Sequence, residues 1–184
     1  MKREDPRIVR TRETIYYAFI QTLEEKNYDE ITVQDILDKA KINRSTFYKH
    51  YLNKDMLAAS IIEQVHQDIL QPLLDQRFST PNLEFAEQAA IVMNQYRTLI
   101  QLLWKIENRR ISLKRNMQEA MEQKYIEVHQ HQSKIEHADI AFQSKLFAII
   151  SMGLLEQVIM RDTPLDVSIT NDNVKEVLTY FKLD

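Results

Sequence analysis

Apolar residues recur along this chain at three- and four-residue spacing, the mark of helices that bury one face. The pattern predicts a first helix over residues 7–26, opened by Asp5-Pro6, with Ile8, Ile15, Phe19 and Leu23 towards a core. Tyr28 and Ile31 then bracket a polar turn. Thr32, with Asp35 three residues on, begins a short helix whose Val33, Ile36, Leu37 and Ala40 share a face. Lys41-Ile42-Asn43 breaks that pattern. Asn43 suits the cap of a second short helix, because its side-chain oxygen can accept from the orphan N–H groups of the next turn. In that helix Phe47 and Tyr51 are four apart and turn inward, while Arg44, Ser45, Tyr48 and Lys49 form a separate face of hydrogen-bond donors.

Beyond Asn53 the periodicity continues in longer segments. A connector helix over 54–70 carries Leu57, Ile61 and Val65, and Pro72 must kink or end it. Ser79-Thr80-Pro81-Asn82 marks a boundary. Residues 83–108 hold too many apolar positions for one stripe, so two sides of that helix are expected to be covered. A more polar helix over 111–132 follows. The helix over 137–161 is apolar nearly all round, which predicts burial on several sides. Its Gly153, roughly 1 kcal/mol worse than Ala in a helix, suggests a close helix crossing. A last helix over 171–182, capped from residues 168–172, stripes Val174, Val177, Leu178 and Phe181.

Composition sharpens this picture. A single Gly and four Pro among 184 residues leave little room for β-turns, so the expected class is all-α. The absence of Cys excludes a disulfide framework and thiolate metal sites, and fits a reducing cytoplasm. No signal-peptide layout is present, and the apolar run 146–155 is too short to span a bilayer, so no membrane partner is expected. Net charge is −3. Its distribution matters more: residues 1–54 hold eleven Lys and Arg against nine Asp and Glu, the remainder thirteen against eighteen. A basic end on an acidic body is compatible with a nucleic-acid partner.

Two short helices, a tight break, an inward apolar set and a donor-rich face describe a helix-turn-helix whose second helix can enter a DNA major groove. An ordinary helical hairpin with a solvated face has the same outline. The residue types favour DNA, since residues 44–50 carry no acid among groups that bond phosphates and base edges. The string ITVQDILDKAKINRSTFYKHYLNKDML resembles the DNA-binding signature of the TetR family of one-component bacterial regulators. The matching positions are Thr32, Val33, Ile36, Ala40, Thr46-Phe47-Tyr48, Tyr51 and Lys54. Lys41 stands where that family commonly has Gly. A positive φ at a residue with a Cβ costs about 1 kcal/mol, and Lys41 is then free to reach a phosphate.

The resemblance implies an N-terminal three-helix DNA-binding domain over 1–54 and a C-terminal helical ligand-binding and dimerisation bundle over 55–184, joined by the connector helix. It implies a homodimer on a palindromic double-stranded DNA operator that acts as a repressor and is released or modulated by a small, largely apolar ligand. Arg44, Ser45 and Thr46 are expected at base edges, with Tyr48, Lys49, His50 and Lys54 towards phosphates and Thr32 and Lys41 also among the DNA-binding residues. Lys2, Arg3, Arg7, Arg10 and Arg12 add a basic cluster beside the backbone. Phe147, Ile150, Leu154, Val158, Val174, Leu178 and Phe181 are expected at a four-helix dimer interface that sets the two heads roughly 34–36 Å apart. Met93, Tyr96, Trp104, Met117, Met121 and Tyr125 outline either an apolar effector pocket or plain bundle core. His129, His131 and His137 lack the spacing and the acids of a metal site. No cofactor motif or enzyme signature is present. The competing reading is a helix-turn-helix-derived co-regulator that acts through a protein partner.

Overall fold

The computed structural model describes residues 5–130, 139–161, 163 and 166–181. These residues form α1 (Pro6–Glu25), α2 (Val33–Ala40), α3 (Arg44–Tyr48), α4 (Lys54–Val65) and α5 (Gln71–Gln76). They continue as α6 (Asn82–Gln95), α7 (Arg97–Trp104), α8 (Leu113–His129), α9 (Ile140–Met160) and α10 (Val167–Thr179). A 3-10 turn at Tyr28–Glu30 and a π-helical turn at His66–Leu70 interrupt the α-helices. The fold is all-helical, as its periodicity implies, with an N-terminal helix-turn-helix and a helical C-terminal region. Two compact units result. The head comprises the chain through Val65 together with Thr98–Leu113, and the body comprises His66–Arg97 and the chain from Lys114 onward.

In the head, α1 begins where Asp5 accepts the Arg7 N–H at 2.9 Å. Pro6 occupies a first-turn position where its missing N–H would have had no partner. Ile15, Ala18, Phe19, Thr22 and Leu23 make the buried face of α1, which packs on α2. Ile8, expected inward, is 38 % exposed, since it lies nearly two turns ahead of the first buried residue. Phe19, Ile36, Phe47 and Leu57 are fully buried, each worth about 1.5–3 kcal/mol in transfer from water. A boundary after Lys54 would strip the head of Leu57, Ala58, Ile61, Ile62 and Val65, all of them buried, and α4 belongs to the head as a whole.

The expected helix over 54–70 instead ends at Val65 and widens into the π-helical turn before α5. Pro72 has no N–H for the carbonyl four residues back, and its ring crowds that carbonyl. A π turn just ahead of it accommodates both effects. The expected helix over 83–108 also divides, at Tyr96 (φ −101, ψ 11). Arg97 clasps this break, donating from Nη2 to Asn94 Oδ1 at 2.6 Å and from Nη1 to the Arg161 carbonyl. The surplus of apolar residues is thereby explained: α6 lies in the body, and α7 from Thr98 onward lies in the head.

In the body, α6 packs against α9 and α10. The expectation that α9 is buried on several sides is not met. Ser144, Ala148 and Ile159 form its covered face, whereas Phe142, Leu146, Ile149, Ile150, Leu154 and Met160 are exposed. Gly153 lies on that open side, and a Cβ built there meets nothing within 4 Å, so no described helix of this chain crosses it. By length and composition α9 could cross a membrane, which the apolar run 146–155 alone could not, and 17 % of its apolar stretch is buried. It nevertheless carries Lys145 and Glu156, and Glu156 accepts from Lys114 of α8 at 3.1 Å. α10 starts at Val167 because Asp166 caps it, accepting from the Ile169 N–H at 3.0 Å, four residues before the expected start. None of its residues is buried.

Candidate nucleic-acid interface

The site is built from α2, the turn and α3. Thr32 and Asp35 close a reciprocal capping box: the Asp35 N–H donates to Thr32 Oγ1 at 3.2 Å, and the Thr32 N–H donates to Asp35 Oδ2 at 2.8 Å. Thr32 Oγ1 also donates to Asp35 Oδ2, at 2.7 Å. The other oxygen of Asp35 accepts from Lys26 Nζ at 2.7 Å. The Lys26 hydrogen bond, with those of the Thr32 amide and hydroxyl behind it, holds the Asp35 carboxyl well below the usual carboxylate range. Both donors of Thr32 are thus engaged in the cap.

At the other end of α2, Lys41 takes up the left-handed conformation, with φ 53 and ψ 43. Its N–H and that of Ile42, the latter at 3.2 Å, both donate to the Leu37 carbonyl, which stitches the helix end. This is the turn that Gly would occupy without strain. The Lys41 side chain is exposed.

One oxygen organises the start of α3. Asn43 Oδ1 accepts from the Thr46 N–H, Thr46 Oγ1 and Ser45 Oγ, each at 2.8 Å. Ser45 and Thr46 therefore direct their protons to the cap and keep lone pairs for a partner. Arg44 is exposed and donates from Nη2 to Gln34 Oε1 at 3.2 Å, while Gln34 Nε2 donates to Asp38 Oδ1 at 2.7 Å. This relay orients the guanidinium and leaves most of its five N–H donors for a partner. Phe47 anchors α3 in the core, its ring nearly perpendicular to that of Tyr48 with the centres 5.6 Å apart. Tyr48 is 45 % exposed and Lys49 is exposed, whereas His50 is partly covered, its ring 6.4 Å from that of Tyr51.

Lys54, expected to face a phosphate, is held by its own chain. Its ammonium donates to the carbonyls of Tyr28 (2.7 Å), Ile31 (2.8 Å) and Asp29 (3.3 Å) and lies 4.5 Å from the centre of the Tyr28 ring. Three donors on three carbonyls make Lys54 a clamp between the α1–α2 turn and the start of α4. Beside it, Tyr28 Oη donates to Asp55 Oδ1. Burial first, and that bond second, push the Tyr28 hydroxyl well above its ordinary value. No residue-type signal distinguishes such a clamp from a phosphate-facing lysine. Two acids around α2 are paired, Asp35 with Lys26 and Glu25 with Lys39 at 2.5 Å, and residues 44–50 carry none. Arg7 and Arg10 are exposed along the start of α1, with Arg12 beside them, while Lys2 and Arg3 lie outside the described residues.

A family profile describing bacterial regulatory proteins of the tetR family matches residues 15–61, the stretch that runs from the buried face of α1 into α4. The chain carries a TetR-family helix-turn-helix domain. Regulators of this family are not enzymes. Among curated relatives, the chain is 41 % identical over 96 residues to the uncharacterized HTH-type transcriptional regulator YxbF of Bacillus subtilis, covering 50 % of this chain and 25 % of that one. It is 33 % identical over 60 residues to the HTH-type dhaKLM operon transcriptional activator DhaS of Lactococcus lactis, covering 33 % of this chain and 32 % of that one. The matches thus span a quarter to a third of those relatives. The fold is shared with a TetR transcriptional regulator from Streptococcus agalactiae at TM-score 0.69 and 24 % identity, over 98 % of both chains.

Outside the TetR-family domain, the remaining expected site residues separate. Trp104 is buried in the head, at 4 % exposure, whereas Met93, Tyr96, Met117, Met121 and Tyr125 belong to the body. Met93 and Met117 are buried, and the other three are partly exposed. Tyr125 stacks on His129 at 4.2 Å and donates to Gln143 Oε1 at 3.1 Å. His131 and His137 lie outside the described residues. Of the expected dimer residues, Ile150, Leu154, Leu178 and Phe181 are exposed and Val174 is partly so. Phe147 and Val158 are partly exposed. Phe147 faces Tyr125 and Phe78 of its own chain, both at 5.3 Å. Arg77, Phe78 and Phe85, absent from the expected site, join that aromatic group. An arginine flanking a boundary segment carries no distinguishing mark in sequence.

Proposed function

We propose that the chain is a TetR-like transcriptional regulator of the cytoplasm that binds a palindromic operator as a homodimer, acts as a repressor, and is modulated by a small, largely apolar ligand. The observation that carries this reading is the outer face of α3. It is free of acid, capped by one asparagine oxygen, and presents an arginine held by a side-chain relay. Such a face supplies base contacts through Arg44, Ser45 and Thr46, and backbone contacts through Lys41, Tyr48 and Lys49. Dimerisation is supported by the uncovered apolar residues of α9 and α10, far more than a lone soluble chain keeps exposed. Gly153 at the middle of the α9 stripe suits a close approach by the same helix of a second copy.

The Lactococcus lactis relative is named as an activator, and transcription from an operator-bearing promoter with and without the protein tells repression from activation. Modulation needs differential affinity: a hundredfold change in operator binding requires about 2.7 kcal/mol between the two states. Arg44→Ala tests the reading. The variant is expected to lose about 1–3 kcal/mol of discrimination between the operator and random duplex, measured by fluorescence anisotropy over a salt series. An unchanged ratio would remove Arg44 from base recognition. Wild-type protein with no salt-dependent affinity for any duplex would leave the co-regulator reading instead.

A further inference from the structure

The body holds an arginine in unusual company. Arg77 follows α5, and its guanidinium carbon lies 5.6, 5.2 and 5.5 Å from the ring centres of Phe78, Phe85 and Phe147. Behind Phe78 stand His129 at 5.1 Å and Tyr125 at 6.1 Å, the latter two stacked on each other. The hydrogen bond of this guanidinium runs from Nη1 to Asn82 Oδ1 at 3.0 Å, a neutral acceptor. Among the described residues no carboxylate pairs with Arg77. The acid nearest in sequence, Asp75, accepts instead from Lys124 at 2.9 Å, and Lys124 also reaches Glu127 at 3.3 Å. Burial pulls the Arg77 pKa down. The group still stays charged at neutral pH.

Exposure adds a second, independent observation. Phe19 and Phe47 in the head are sealed, but Arg77 and all five rings of this cluster remain partly exposed. Aromatic side chains usually gather to exclude water, and here they form a wall that solvent still reaches, beside one half-buried positive charge. A planar guanidinium flanked by rings matches a carboxylate attached to an aromatic group. The two oxygens meet the fork of N–H donors, and the ring adds to the aromatic wall. Lys124 is already paired with Asp75 and Glu127, so among the described residues Arg77 is the cation that faces these rings without a carboxylate partner, and it suits a single negative charge.

We infer that Arg77, with Phe78, Phe85, Tyr125, His129 and Phe147, forms the effector site of the proposed regulator and takes a small aromatic monocarboxylate. This rests on the ligand-responsive reading given above and replaces its apolar ligand with an acid that has an apolar body. The bland alternative is that the rings merely shelter the arginine stem, a cation–π packing with no ligand.

Phenylacetate and its neutral counterpart phenylacetamide separate the two on the full-length protein. Titration is followed by calorimetry and by the NMR signals of the His129 and Tyr125 rings. Phenylacetate is expected to bind in the millimolar range or tighter, to shift both sets of ring signals, and to bind about tenfold more tightly than the amide, the difference between a charge-assisted and a neutral hydrogen bond. Arg77→Met, which keeps an apolar stem, is expected to equalise acid and amide. Equal affinities in wild-type protein, unmoved His129 and Tyr125 signals, or no binding at millimolar phenylacetate would each overturn the site, and none of these depends on how the variant folds. Phenylacetate binding as expected by a protein without affinity for duplex DNA would uphold the site and refute the regulator reading. DNA binding without phenylacetate binding would refute the site alone.

Discussion

Replacing Lys41 by glycine should make the head more stable and its grip on DNA weaker at once. At φ 53 the Cβ of Lys41 crowds its own backbone, and this conformation costs a residue with a side chain about 1–2 kcal/mol. Glycine removes that cost but gives the unfolded chain extra freedom, which returns about 0.4–1 kcal/mol. A net gain of about 0.5–1 kcal/mol is expected, because the helix end is otherwise unchanged: the bonds of residues 41 and 42 to the Leu37 carbonyl are made by the backbone. Lys41→Ala is the control, since it removes the same charge while keeping a Cβ. Urea unfolding followed by the emission of Trp104, the sole tryptophan and buried in the same unit, reads the head directly. The glycine variant should exceed the alanine variant in midpoint with an unchanged slope. On DNA the two variants should behave alike. Each should flatten the slope of log affinity against log salt by about 0.9 for every phosphate that Lys41 neutralises in the wild-type complex. A glycine variant no more stable than the alanine one would refute the strain argument. An unchanged salt slope would show that Lys41 meets no phosphate.

Three further outcomes follow from the geometry. Lys54→Met should destabilise the head by about 1.5–3 kcal/mol, the scale of hydrogen bonds to a charged group, with the salt slope of DNA binding unchanged, whereas a phosphate ligand would show the reverse. Leu154→Glu or Phe181→Glu, on the uncovered faces of α9 and α10, should yield monomers by sedimentation and lose operator binding at micromolar concentration; variants that stay dimeric would place the interface elsewhere. The Asp35 carboxyl is held below its unfolded value by Lys26 and Thr32, so its stabilisation is fully present above the ordinary carboxylate range. It falls away as pH drops below about 4 towards the folded value, and Asp35→Asn should flatten that part of the stability–pH curve.

The parts of this chain legible in its sequence are those governed by local chemistry. The capping box at Thr32, the Asn43 cap, the break at Lys41 and the inward Phe47 all depend on neighbours within a few residues, and each appears as the pattern implies. Non-local partners are not legible in this way. Lys54 has the composition of a phosphate ligand, but carbonyls more than twenty residues earlier claim its ammonium. The even apolar coverage of α9 signals burial without saying whether its own chain or another molecule covers each side. The division at Tyr96 is hidden because apolar residues suited to two different units stand in one unbroken helical pattern. Arg77 gives no sign of itself, since its aromatic neighbours come largely from separate helical segments.

The head is discontinuous, and Thr98–Leu113 belongs to it although the chain has by then passed through α5 and α6. Ile100, Leu103, Ile106 and Leu113 from that return are fully buried. The backbone therefore crosses between the units three times, so no single proteolytic cut releases the head as an intact fragment. A chimera grafting this helix-turn-helix onto another regulator has to carry the return segment with it. One fused after Val65 would present the right residues to DNA on a core missing part of its filling, and should bind weakly or aggregate for reasons unrelated to base recognition.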